Sequence, residues 1–349
     1  MTVSIHIYLS GNEKPPEGLS NFSHLTFSSL DLKGFSNITR ETLNSLFEEA
    51  DSDYVGFIEL SQPVDQSFFN QLSNLKLNRD QAGVYFLPFH DSSPFVGAYE
   101  TLPPVAASLA MNPLQHAVVL IRKTDFENLK DFEESTDLIW QTLILLAQKG
   151  VPAQLIESKT SSRVNLISGI FPALAPDDPG PDRDWLLHLL RAYEPAQDLL
   201  AILSQADAIA LKAGLLCMHD YLDESHEYSQ SVQSQGIHGA GDYWHHIMHR
   251  REPDYSNAKY WSRAVGYHPL HDVLPDVVQT LFDLNYGDSV EDWKSRLLQN
   301  KRWSLNAFVD CCAECESTQA PELNAFAQSI QWVEMLLLLQ KTSQDAATG

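Results

Sequence analysis

The sequence predicts an α/β N-terminal domain with a mostly parallel sheet, followed by an all-α C-terminal domain. Three observations carry this. Short β-branched and aromatic runs alternate with helical periodicity over residues 1–165. The segment Phe171-Pro-Ala-Leu-Ala-Pro-Asp-Asp-Pro-Gly-Pro181 then packs four prolines and a glycine into eleven residues. Neither a helix interior nor a central strand tolerates that composition. From Trp185 onward the apolar spacing is helical almost throughout.

The strand candidates are 3–9, 24–28, 54–60, 83–89, 117–122 and 153–157, with helices over 39–50 and 135–149. In the second helix Leu138, Thr142, Leu145 and Leu146 share one face. Residues 166–183 are expected to be the linker, with Asp182 or Asp184 capping the next helix. The helical domain spans 184–341, with helices expected over 184–193, 196–204, 206–231, 241–250, 256–264, 271–283, 290–298, 303–315 and 322–341. Residues 342–349 read as a frayed tail.

The net charge is −23, from 46 acidic against 23 basic residues. Nucleic acid and anionic membranes are therefore not expected partners, because both are bound mainly through Lys and Arg. The start, Met1-Thr-Val-Ser-Ile-His-Ile-Tyr-Leu-Ser10, has no basic n-region or cleavage site and reads as a strand. The longest apolar runs are far shorter than a membrane span needs. Cys217, Cys311, Cys312 and Cys315 form no disulfide framework and read as buried thiols. A cytoplasmic location is the expectation, and the oligomeric state is left open.

The stretch Arg40–Leu60 is a helix followed by an apolar strand, and it resembles part of the inverting family-two glycosyltransferases of GT-A type. A second similarity is Val118-Val-Leu-Ile-Arg-Lys-Thr-Asp-Phe-Glu127, followed by Asp131-Phe-Glu-Glu134 and a helix from Asp137. The resemblance covers residues 1–160 and implies a shortened GT-A-like domain acting on nucleotide sugars. It implies a metal motif, Asp-x-Asp, at the end of strand 54–60, and an acidic catalytic base in the second segment. The chain departs from the metal motif, with Glu59-Leu60-Ser61 at that position. A hard cation would find one carboxylate there.

Eight of the thirteen histidines fall between residues 219 and 271: His219, His226, His238, His245, His246, His249, His268 and His271. On a helix over 241–250, His245 and His249 lie one turn apart on one face, a spacing that places two imidazoles on one ion. His246 and His249 are a competing pair. The preceding helix offers Asp223, Glu224 and His226, and Glu252 follows His245 by two turns. The candidate ligands are His226, His245, His249, Asp223 and Glu252, a mixed N/O set that suits Zn, Fe or Mn better than Ca. The same segment is locally basic. Arg250, Arg251, Lys259 and Arg263, with Asn257, Trp244, Tyr255 and Trp261, are the candidates for binding a small anionic or sugar-like ligand. The run Trp244–Trp261 is also similar to a signature of a group of uncharacterised proteins, extending to Asp223-Glu-Ser-His226 and Val265-Gly-Tyr-His-Pro269.

Three functions follow as expectations. One is a His/carboxylate metal site in the helical domain, where a metal could activate water or bind oxygen in an enzyme. Another is a non-catalytic protein binding a sugar phosphate or nucleotide. The third is a glycosyltransferase relative, active or decayed.

Overall fold

A computed structural model describes residues 3–10, 24–30, 35, 38–59, 66–89, 94–129, 135–157, 171–282, 288–298, 301–318 and 320–348. The chain divides into two compact units. The first comprises 1–164 with 181–186, and the second 165–180 with 187–349.

In the first unit the order is β1 (Ile5–Ser10), β2 (Leu25–Leu30), α1 (Arg40–Glu49), β3 (Tyr54–Glu59), α2 (Gln66–Ser73), β4 (Val84–Pro88), α3 (Pro94–Thr101), α4 (Pro104–Ala110), β5 (Ala117–Arg122), α5 (Lys123–Glu127), α6 (Leu138–Gln148) and β6 (Ala153–Leu155). The sheet runs β2-β1-β3-β5-β4-β6. β1 pairs in parallel with β2 and β3, and β4 with β6, while β5 is antiparallel to both its neighbours. Ile5, Ile7 and Leu9 of β1 join Tyr54, Ile58, Tyr85, Leu87, Val118 and Leu120 in one core. A buried two-faced sheet needs such near-continuous apolar strands. Gly56 is required where β3 passes its neighbours, since a Cβ there would lie 2.7 Å from the Leu120 side chain. The register sets Ser10 opposite Glu59, so Glu59 ends β3 at the carboxyl edge of the parallel strands. Leu60, Ser61, Asp131, Glu133 and Glu134 lie outside the described residues.

The second unit continues through α7 (Asp184–Ala192), α8 (Pro195–Asp198), α9 (Gln205–Met218), α10 (Leu222–Ser231), α11 (Ala240–Arg251), α12 (Tyr255–Val265), α13 (Leu270–Phe282), α14 (Asp288–Leu297), α15 (Leu305–Thr318) and α16 (Pro321–Thr348). No helix among the described residues is long and apolar enough to cross a membrane.

Three expectations need correction. The helix expected over 206–231 is two helices, because Asp220 takes a left-handed conformation (φ 72°). Short polar side chains tolerate that region best. The tail expected to fray is the last part of α16. Asp345 and Ala346 are buried there, and the Ala346 carbonyl accepts from the backbone N–H groups of Leu203 and Ser204 (2.8 and 3.2 Å). The Pro-rich segment does not stand free as a linker either. Its Ala173 carbonyl accepts from Arg251 Nη2 (3.2 Å) and Gln331 Nε2 (3.1 Å), which fastens it to the helical unit.

Helix α11 sits at the centre of this unit, with all twelve residues buried. Trp244 enters against Gly214 of α9, where a Cβ would fall 2.5 Å from the indole ring. Overpacking of this kind costs about 1–3 kcal/mol. Gly214→Ala should therefore lower the unfolding free energy of the full-length protein, from urea titration, by an amount in that range, and a neutral result would show that α9 can shift.

Candidate metal centre

Local sequence brings α10 and α11 together. The Ser225 hydroxyl on α10 donates to the Ala213 carbonyl of α9 at 2.9 Å. The α10–α11 connection is fixed by Asp242, whose carboxylate accepts from the Ser234 backbone N–H at 3.1 and 3.2 Å. Gly239 opens α11 with φ 66°. Gly241 permits the closest approach, because a Cβ there would meet Val232 at 2.6 Å.

On this scaffold His226 of α10 faces His245 and His249 of α11. One candidate ligand atom from each ring lies within 4.8 Å of the others. Ring centroids are 4.6 Å apart for His226–His245, 5.3 Å for His226–His249 and 4.7 Å for His245–His249. The Nε2 atoms of His245 and His249 are 3.0 Å apart. Two nitrogens bound tetrahedrally at zinc distances would stand ~3.3 Å apart, so a small relaxation suffices. Glu252 Oε2 meets His249 Nδ1 at 3.1 Å, the carboxylate contact that orients a ligating ring. The indole of Trp261 stacks on His245 at 3.7 Å between centroids.

His245 and His249 are held neutral. Burial lowers His245 to about 3, with His249 and His226 adding repulsion. Burial also lowers His249, against the opposing pull of Glu252. Neutral imidazole is the form that binds metal.

No protein-family model matches the chain, and no curated protein is recognisably similar to it. The site therefore rests on its own geometry.

Of the five expected ligands, the three histidines converge. Asp223 is exposed and outside the group, and Glu252 supports His249 instead of joining it. Glu224 forms a two-oxygen contact with Arg191 at 2.6–3.1 Å.

The anion-binding set is dispersed. Arg250 is fully buried against Glu334 of α16 at 2.6 Å, with its guanidinium over Phe308. Arg251 donates to the Cys217 carbonyl and, at 2.6 Å, to Asp220 Oδ1, so it closes the C-terminal end of α9. Trp244 is core, its Nε1–H reaching Thr342 Oγ1 at 3.3 Å. Lys259 pairs with Asp310 at 2.5 Å, and the Tyr255 hydroxyl points to the Cys312 carbonyl at 3.5 Å. The Asn257 backbone N–H caps onto Asp254, and Arg263 is exposed. Arginines in an acidic chain find carboxylates, and buried ones must.

The opposite face of α11 carries Tyr243, His246 and Arg250. The Glu334 carboxylate accepts from the Tyr243 hydroxyl (2.9 Å), Trp303 Nε1 (3.2 Å) and Arg250. His268 and His271 stand beside Tyr243, at 5.0 and 6.0 Å between centroids. Glu334 was the residue that sequence spacing missed. Its one visible signal is a lone acid inside the apolar run Trp332–Leu339. His246 Nδ1 meets the Ala258 carbonyl at 2.7 Å and must carry its proton there, while His268 Nδ1 accepts from the Leu270 backbone N–H at 3.2 Å. Burial lowers His246 to about 4 and His268 to about 3.

Two outcomes follow. Folded-state values below the ordinary 6.5 mean that the unfolded chain binds more protons. Stability is full above that value and is lost as pH falls from about 6.5 toward 3. Urea midpoints measured between pH 7.5 and 4 should decline, and His268→Gln should flatten the decline. Separately, Glu334→Ala leaves Arg250 buried without a counter-ion and should cost about 3–5 kcal/mol in the same assay. A loss under 1 kcal/mol would mean that Arg250 finds water.

Proposed function

We propose that this protein binds one divalent transition-metal ion through His226, His245 and His249. The observation that carries the reading is the convergence of three imidazoles from two helices, with Glu252 behind His249. An all-nitrogen set suits zinc or iron better than manganese, which prefers oxygen donors. The reading is favoured over a sugar-phosphate or nucleotide pocket, because the two arginines that such a pocket needs are buried in ion pairs.

Elemental analysis of full-length protein, purified without chelator, should find close to one zinc or iron per chain. His226→Ala, His245→Ala and His249→Ala should each abolish stoichiometric metal. Glu252→Gln should retain the site with ~10–100-fold weaker affinity. Metal at trace level in the wild-type protein would end this reading.

A second reading concerns the sheet unit and rests on Glu59. Its carboxyl group, at the carboxyl edge of the sheet, is raised by burial and further by the charge of Asp137, which burial raises in turn. That edge is where open α/β sheets bind ligands. The arrangement supports a relationship to nucleotide-sugar transferases, with Glu59 in the place of the metal motif and Asp137 on the acceptor side. Isothermal titration with a panel of nucleotide sugars plus Mn²⁺ tests it. Binding abolished by Glu59→Gln is expected of a working site, and no binding of any donor would mean a decayed one.

A further inference from the structure

Among the described residues the protein offers the ion three ligands, all on α10 and α11. The carboxylate best placed to be a fourth, Glu252, is engaged by His249 Nδ1. Closed structural zinc sites use four protein ligands, whereas sites that meet substrate keep a position open. The three rings also differ in exposure. His245 and His249 are buried, while His226 is only partly so, and Trp261 covers the His245 ring face. The ion would thus be walled by α11 and Trp261 and accessible past His226.

The surroundings bear on what would arrive. Glu252 is partly exposed, and Asp254 is exposed with its charge felt at His249. Asp223 is exposed one turn before His226. Arg250 and Arg251, the nearest guanidinium groups in the sequence, point away into Glu334 and Asp220. Imidazole ligates a metal in its neutral form, so a bound ion would keep its positive charge, which the surrounding carboxylates would offset only in part. A neutral oxygen or nitrogen donor reports the open position itself, apart from these charges.

We infer that the His226–His245–His249 centre is coordinatively open and admits a small exogenous N- or O-donor molecule. This rests on the metal-binding reading above.

Full-length protein loaded with Co²⁺ separates the two ideas. Visible absorption bands that require all three histidines report metal binding itself. Addition of imidazole should then shift those bands with saturation in the millimolar range, cobalt being retained on gel filtration. Unchanged bands with imidazole would mean a closed site and overturn the inference while leaving metal binding intact. Failure of Co²⁺, Zn²⁺ and Fe²⁺ to bind at all would instead remove the metal-binding reading.

Discussion

Helix α11 is wholly buried, yet Asp242, His245, His246, His249, Arg250 and Arg251 make half of its twelve residues polar or charged. The ion pair between Arg250 and Glu334 is the interaction on which that burial depends. Two opposite charges with no exposure to solvent pay a desolvation cost that only close contact and further hydrogen bonds offset. Tyr243 and Trp303 supply those further bonds to the same carboxylate. One acid on α16 therefore anchors α11, and α11 in turn presents two of the three converging imidazoles.

The two faces of α11 divide the labour. Tyr243, His246 and Arg250 face the Glu334 side and hold the helix. His245 and His249 face α10 and meet His226. Arg251 works at the end of the helix, where it adds a bond to the Cys217 carbonyl in the last turn of α9 and pairs with Asp220 at the break just beyond it. The same break lets α10 begin as a separate helix that carries His226. A rigid, deeply packed helix is a good support for ligands, because their rotamers are held by packing before any ion arrives.

The resulting chemistry is that of neutral nitrogen donors at close range. Burial keeps His245 unprotonated well below neutral pH and lowers His249 as well, so a metal would displace few protons from these two rings. Three imidazoles without a charged ligand leave the ion's positive charge largely intact, which favours a Lewis-acidic role once a small donor reaches it. With Arg250 and Arg251 held in ion pairs elsewhere, neither supplies a guanidinium fork beside the ion.

Helical spacing alone determined that His245 and His249 share a face, because a helix repeats every 3.6 residues whatever surrounds it. Strand alternation and the Pro-rich break likewise determined the α/β and all-α halves. The partner of Arg250, in contrast, lies 84 residues away on α16, and no local period relates them. Asp220 and Gly241 shape how α9, α10 and α11 meet, yet in the sequence they look like any loop Asp or helical Gly. The basic run Arg250–Arg263 read as one pocket because it is contiguous. Its members radiate around two helices to separate acids, and only the packing of those helices could assign them. The histidines were visible as a count, while their division into a converging trio and a supporting group was a decision of the tertiary structure. Side chains far apart in sequence become neighbours only after burial has chosen which helix faces meet.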